Sequence, residues 1–570
     1  MTERVDLRKR EWARAEMEGR ACRTSGWAFD GGTHLAGEAL AKHVLGRLCR
    51  GVEFPKVMDG LNGHFAVTYQ AGDALWLGAD AIRSIPLFYR RDAGAIESVR
   101  PWASDDVKTL LRREHPLVAD SVAEFATAGY VTGQNTLYEG VCGVQAGECV
   151  RLDRSGARSE SYDAHLCTYD MDDEGPEALA AFDEIVLASM RRALRSFNGR
   201  QVALPLSGGL DSRLLAVALK RLGHDNVVCF AYGLAGNHEA RKSREVAETL
   251  DLPWFEVPYT PEGLREDYHG AAMREFWAYA HDGTALPCIT EWPAIRMVAE
   301  HSGPFRTTRG NIVLDKDAVF LSGQSGDFIN GSHLRYLFFP ELCADPSLVE
   351  QAILDKHYSL WGDLLRRSRV REALKRRIRA VLEDANARSL PADGDAGHAA
   401  RYEYWECRER QVKYVIGGAR VFEFFGRDWA MPLWDREVME FFRRLSIPLK
   451  LRGYFYAKYA AAHDPWGVFQ DVVPERFDRR AELERFQARQ AKSGKRAERL
   501  LESLPLLGAA LRYRKRVREH RHYYRYNALG FPQVVGRREY VYHHPHKRHV
   551  LSLWLRDVLR EEYGVDLHAL

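Results

Sequence analysis

Leu204-Pro-Leu-Ser-Gly-Gly-Leu-Asp-Ser-Arg213 decides how the 570-residue chain is read. Gln201 to Leu206, ahead of the glycines, is short and apolar, the signature of a buried strand. Behind them Leu214, Leu215, Val217, Ala218 and Leu222 recur at helical spacing until Gly223 ends the run. Ser207 to Ser212 is therefore a strand-to-helix loop with Gly208 and Gly209 at its tight point. Such a loop converges backbone N–H groups at a helix N-terminus, where the dipole favours an anion. Ser207 and Ser212 add hydroxyl donors. Asp211 would repel a phosphate unless a divalent cation lay between them, so its presence implies Mg²⁺.

The loop lacks the Gly-Lys-Ser/Thr ending of a Walker sequence, so a gripped γ-phosphate is not its natural ligand. Ser-Gly-Gly-Leu-Asp-Ser resembles the pyrophosphate loop of ATP pyrophosphatases, which split ATP into AMP and pyrophosphate. On that resemblance Pro205, Ser207, Gly208, Gly209, Leu210, Asp211 and Ser212 line the nucleotide site.

Working outward, the chain is too long for one ordinary core. With 46% hydrophobic and 28% charged residues and a net charge of +3, it reads as a globular protein. That balance gives no argument for nucleic acid or membrane partners. No apolar run reaches the length of a membrane span, and the charged N-terminus lacks a signal-peptide core. The nine cysteines show no CxxC spacing and read as reduced thiols, so a cytoplasmic location is expected. Nothing in the sequence speaks against an oligomer.

Residues 1 to about 165 form the expected first domain. A helix is predicted over 34–49, and short alternating strands over Leu61–Tyr69, Ala74–Gly78 and Ile85–Tyr89. Gly129 to Gly140 and Gln145 to Leu152 follow. In this order the features resemble the asparagine synthetase family, through Asn62-Gly-His-Phe-Ala66, Asp80 to Tyr89 and Gly129 to Gly140. The resemblance implies an α+β sandwich of the N-terminal-nucleophile hydrolase type (αββα), a glutaminase domain in the family. Its chemistry needs a cysteine at position 2, and here that position is Thr2, in a charged leader with no strand pattern behind it. The family's glutamine-binding phrases are also missing, and Cys22, the nearest thiol, has nothing around it to activate it. An inactive, retained scaffold is the reading.

From 166 to 570 the resemblance implies an ATP pyrophosphatase-like α/β domain with a parallel sheet, then a helical C-terminal part. Strand Val227–Tyr232, helix 239–249 and strand 252–257 support a parallel sheet on their own evidence. The tip at Tyr232 should lie beside the nucleotide base. A second chemical stretch is Val319-Phe-Leu-Ser-Gly-Gln-Ser-Gly-Asp-Phe-Ile-Asn-Gly331. By resemblance Ser322 and Gly323 contact the nucleotide, and Asp327 joins Asp211 as the second Mg²⁺ carboxylate. The family has glutamate where this chain has Gln324; an amide cannot act as a base but can hold a substrate group.

A long helix is predicted over 401–415. Asp428-Trp-Ala-Met-Pro-Leu-Trp-Asp435 resembles the family's Glu-Ala-Arg-Val-Pro-Phe-Leu-Asp, with Asp428 shortened and Ala430 in place of arginine. That alters the anions the acceptor region can bind. Pro432 and Asp435 read as a turn and a helix cap. Pro448 to Tyr459 matches the phrase that carries an active-site lysine, which falls on Lys458; Lys450 reads as a solvated surface group. From about 475 the chain is expected to leave the family core for a basic helical extension. Its runs at Arg479-Arg480, 492–496 and 512–518, and the histidine-rich 543–549, read as solvated faces. A docked helix closes the chain at 550–563.

The activity implied is an ATP- and Mg²⁺-dependent amide synthetase that forms an acyl-adenylate on a small carboxylate and passes the acyl group to an amine. Asparagine is the family's default product. The amine is ammonia, its own or supplied by a separate glutaminase, or an intramolecular amine as in β-lactam synthetases and lasso-peptide cyclases. Amidation of a sugar acid or another metabolite is a further alternative. A non-catalytic nucleotide-binding regulator is the reading from a different class.

Overall fold

The computed structural model describes residues 4–92, 102–343, 345–388, 390–391, 393–492, 505–543, 548 and 550–569. Thr2 and most of the histidine run (544–547 and 549) lie outside them, as do residues 493–496 of the basic stretch.

The N-terminal part is built from two sheets. In the larger, Gly156–Ser161, Glu148–Asp153, Ala74–Ala79, Asn62–Ala71, Arg20–Asp30 and Ala13–Met17 lie side by side, with Thr33–Ala36 paired to Arg20–Asp30. The smaller runs Val5–Asp6, Ala103–Ser104, Phe88–Arg90, Val141–Gly143. Alternation along Asn62–Ala71 explains the layering. Phe65, Val67 and Tyr69 pack on helices Gly37–Cys49 and Phe54–Asp59. Ala66 faces the other way, into a core shared with Leu87, Tyr89 and Ala103 of the smaller sheet. Beyond that sheet, Phe88 enters the large core of the rest of the chain.

One expectation is corrected here. Val5–Asp6 does form a strand, pairing in parallel with Ala103–Ser104. Two residues are too short for any alternation to show in a sequence. Cys22 is fully buried on Arg20–Asp30, and burial pushes its thiol up to about 12, as an inert cysteine requires.

The second sheet is parallel, in the order Trp254–Tyr259, Val227–Leu234, Val202–Pro205, Val319–Leu321, Trp429–Ala430. In chain order this is 3-2-1-4-5, so the winding reverses between Val202–Pro205 and Val319–Leu321. Loops leaving the carboxyl ends of strands at such a reversal part and leave a crevice. Both chemical stretches of the sequence leave the sheet there. Helices Pro176–Phe197, Leu210–Arg221 and His238–Thr249 cover it, and a largely helical region runs from 326 to the C-terminus.

The predicted helix over 401–415 is only partly α-helical. Gly394–Trp405 is α, but Glu406–Val415 is π-helical and Ile416–Ala419 is 3₁₀. Buried Glu406 and Glu409 on the π segment pair with His357 (2.6 Å) and Lys413 (2.6 Å). The His357 pair ties the π segment to a neighbouring helix, while Glu409 and Lys413 pair within it. Lys413 also donates to the carbonyls of Val131 (2.8 Å) and Gly133 (2.7 Å), stitching the N-terminal part to the second. Arg192 holds Asp435 in a bidentate pair (2.8 and 2.7 Å), joined by Asn62 at 3.1 Å. Asp435 also caps the helix Arg436–Arg444 through Glu437 N–H (3.0 Å), the structural role read from its sequence.

The expected boundary near 165/166 falls in the extended stretch between Gly156–Ser161 and Pro176–Phe197. The closing helix Val550–Tyr563 forms as predicted, and its Trp554 meets Trp277 edge to face. The basic residues Arg514, Arg516 and Arg518 of helix Pro505–Tyr526 are exposed, as a solvated face demands. Among the described residues no helix is long and apolar enough to cross a membrane. All nine cysteines are free thiols.

Candidate functional site

The loop Leu206–Gly209 hangs between the strand ending at Pro205 and the helix Leu210–Arg221, which begins at Gly209 without a side-chain cap. No side chain caps its first turn, and Leu210 anchors the turn against the core. The serines pre-form the loop. Ser207 N–H donates to Ser212 Oγ (2.9 Å), the two hydroxyls lie 2.9 Å apart, and Gly209 N–H donates to Ser207 Oγ (3.1 Å).

An anion already occupies part of this cradle, and it belongs to the chain. Gly208 N–H donates to Glu239 Oε2 at 2.9 Å. Lys242, one helical turn on, lies against the same glycine, where an added Cβ would meet its Cβ at 3.1 Å. Neither residue carries a motif; each reaches the loop from the next helix, His238–Thr249. Arg213 ties the loop to the C-terminal segment, bonding the carbonyls of Gly209 (3.2 Å) and Val468 (2.9 Å) and the carboxylate of Asp471 (2.7 Å).

The two chemical stretches meet. A Cβ at Gly326 would fall 2.0 Å from Asp211 Oδ1, and one at Gly323 would lie 3.0 Å from Ser212 N. Only glycine permits the approach at 326, and at 323 a side chain would crowd the backbone of Ser212. The turn between them is made by Ser325 in the left-handed region (φ 70°), its hydroxyl bonded to Gln411 of the π segment at 3.0 Å. Ser322 is fixed by its N–H to Ala430 O (2.9 Å).

This packing sets the electrostatics. Asp211 is pushed up to about 7, by burial first and then by the charge of Asp327. The Tyr456 hydroxyl and the Asp327 backbone N–H oppose the rise. Asp211 Oδ1 and the Tyr456 hydroxyl are both buried without a regular hydrogen-bond partner. A carboxylate pair with one orphaned buried oxygen, beside a phosphate cradle, is the all-oxygen donor set that a hard divalent cation takes. Asp211 and Asp327 therefore fit Mg²⁺.

Gln324 turns away from the phosphate loop. Its Nε2 donates to Glu291 Oε1 at 2.6 Å, and its Oε1 is buried with no partner. Glu291 stands at the start of the helix Trp292–Glu300 and also receives the Tyr232 hydroxyl. Burial raises its pKa, while these two donors pull it down. Tyr232 thus brings its side chain to Glu291, and its strand tip is met by the C-terminal segment, where Leu234 N–H donates to Ala528 O (2.8 Å).

Two sequence expectations, on Lys450 and Asp428, are corrected by placement. Lys458 is not beside the carboxylates. It lies two residues beyond Tyr456 on helix Tyr454–Ala462, about 200° round the helix. Its Nζ is 3.6 Å from Glu174 instead. Lys450 is no solvated group. It is buried and bonds both oxygens of buried Glu403 at 2.7 Å, which with His333 holds that carboxylate well below its usual range against the cost of burial. Asp428 sits at the opening end of strand Trp429–Ala430, away from the crevice, paired with Arg200 at 2.6 Å.

The asparagine synthase family model matches residues 181–529. The chain therefore belongs to the asparagine synthase family. The match continues well past 475, so the expected departure from the family core is corrected to beyond 529. A protein described as a glutamine-hydrolysing asparagine synthetase, from Acanthamoeba polyphaga mimivirus, is 34% identical over 95 residues. That alignment covers 16% of this chain and 17% of the relative's length. Among solved structures, the glutamine phosphoribosylpyrophosphate amidotransferase of B. subtilis, complexed with ADP and GMP, is 11% identical. It covers 55% of this chain and 57% of its own, at a TM-score of 0.17, too weak a likeness to bear on the argument.

Proposed function

We propose that the chain is an AMP- and pyrophosphate-forming amide synthetase that works through an acyl-adenylate, with its N-terminal part an inactive glutaminase-like scaffold. The observation that carries the reading is the contact between the two loops, which sets Asp211 and Asp327 together at the mouth of an open helix N-terminus. ATP enters with its β- and γ-phosphates on Ser207, Gly208, Gly209 and Ser212, displacing the Glu239 carboxylate. Its base lies toward Tyr232, and Ser322 and Gly323 contact the α-phosphate side. Mg²⁺ held by Asp211 and Asp327 supplies charge neutralisation for the departing pyrophosphate.

A substrate carboxylate oxygen attacks the α-phosphorus, the bond to pyrophosphate breaks, and an amine then displaces AMP to give the amide. The protein's share is to orient the reactants and keep water from the mixed anhydride. Lys242, whose stem lies against Gly208, is the cation that meets phosphate charge in this reading, its Nζ turning from Glu245 (3.7 Å) and Asp471 (3.5 Å) to do so.

The amine is ammonia or one carried by the substrate, since the scaffold offers no activated thiol: Cys22 is buried and its pKa is about 12. The test is ATP–pyrophosphate exchange over a panel of carboxylates, aspartate and sugar acids included. Carboxylate-dependent exchange that disappears in Asp211→Ala supports the reading. Tight nucleotide binding with no exchange for any carboxylate would favour a regulatory protein.

A further inference from the structure

The departure at Gln324 has a counterpart in space. Its amide leans on Glu291 at 2.6 Å, and the Tyr232 hydroxyl closes on the same carboxylate. The Gln324 oxygen is buried and has no hydrogen-bond donor, with Gly418 the glycine nearest it: a Cβ there would lie 4.0 Å away. A buried carboxylate and an orphaned amide oxygen stand side by side. The amide oxygen lies on the loop that also holds Ser322, Gly323 and Asp327, and the carboxylate stands at the start of the helix Trp292–Glu300. The groups nearest the carboxylate are neutral: Tyr232, Gln324 and Cys288, whose thiol is pushed up to about 12, first by burial. Among the described residues no cation pairs with this carboxylate. What completes such a pair is an N–H-bearing ligand of positive or incipient positive charge.

We infer that Glu291 and the Gln324 oxygen form the subsite for the amine, and that Glu291 takes the proton lost as the amide forms. This rests on the proposed reaction. The amine nitrogen, held by the two acceptors, puts its lone pair on the acyl carbon of the mixed anhydride. The C–N bond forms, the C–O bond to the phosphate breaks, AMP leaves with that electron pair, and one nitrogen-bound proton passes to the Glu291 carboxylate and on to water. The base that the loop lost at position 324 is thus supplied from position 291. Glu291→Gln is a mild change, because this side chain makes no cap to its helix.

The test uses the full chain and two independent readouts. In saturation-transfer NMR, methylammonium chloride should receive signal from the unaltered protein, and tetramethylammonium, which has no N–H, should not. Glu291→Gln should reduce the transfer at least tenfold, and Gln324→Leu severalfold. In turnover assays Glu291→Gln should keep ATP–pyrophosphate exchange within threefold and lose amide formation about 100-fold. Hydroxylamine, largely unprotonated at neutral pH, should restore most of the loss. Amide formation that rises with ammonium chloride identifies free ammonia as the amine. Formation without any added amine identifies one borne by the substrate; either result keeps Glu291 in its role. If the unaltered protein exchanges no pyrophosphate, the proposed reaction fails while the methylammonium result still decides the subsite. Equal methylammonium transfer in Glu291→Gln overturns the inference. So does a variant whose exchange falls as far as its amide formation, because Glu291 would then serve the nucleotide.

Discussion

Replacing Asp211 by asparagine should make the metal-free protein more stable and the enzyme inactive. Asparagine has the shape of aspartate but cannot ionise. In the folded chain Asp211 is raised from 3.8 to about 7, by burial and then by Asp327. Between pH 4 and pH 7 the folded state holds a proton that the unfolded chain has released. The unfolded state then binds fewer protons, so stability falls as pH rises through this window and levels off above about 7. A shift of that size corresponds to about 4 kcal/mol lost by pH 8. Asp211→Asn removes the penalty.

The assay is chemical denaturation with EDTA present, at pH 8 and pH 4.5, on both proteins. The variant should gain up to about 4 kcal/mol at pH 8 and no more than about 1 kcal/mol at pH 4.5. Adding MgATP should invert the order, because only the unaltered carboxylate pair is relieved by the ion. Exchange should fall on the order of 10²-fold or more in the variant. A variant that is less stable at pH 8 without metal, or that keeps exchange within tenfold, would refute the argument.

Glu239→Gln should tighten ATP binding roughly fivefold by calorimetry, reflecting the ~1 kcal/mol between a charge-assisted and a neutral hydrogen bond at the cradle. Lys458→Met should change turnover less than tenfold and leave ATP affinity unaltered, since the pair it loses with Glu174 is partly exposed. Lys450→Met should destabilise the fold by about 3–5 kcal/mol in denaturant titration, because Glu403 is left buried and charged, and adding Glu403→Gln should recover much of the loss. Glutamine alone should yield no glutamate above background, and Thr2→Ala should change nothing in that assay.

Much of this fold lies open in the sequence, and the remainder is hidden for identifiable reasons. Strands such as Val202–Pro205 and Val227–Leu234 are legible because a strand buried on both faces must be a continuous apolar run. The phosphate loop is legible because one short segment supplies all its parts. The sheet order is not, since Val319–Leu321 lies beside Val202–Pro205 through contacts over a hundred residues apart. The π segment is hidden because Glu406 finds His357, and Lys413 the carbonyls of Val131 and Gly133, only in the folded chain.

On the helix Tyr454–Ala462 it is Tyr456 that faces Asp211, while Lys458, two residues on, reaches Glu174, a division that the matched phrase alone does not reveal. Glu239, Lys242 and Glu291 carry no local signal at all. The amide at 324 announces a missing carboxylate, because a base is lost at that position. Where a carboxylate returns is a tertiary fact: it comes from 33 residues earlier, set against Gln324 by the start of the helix Trp292–Glu300. A substitution that removes a charge from a motif therefore says what to look for in space, and the structure says which residue stands there.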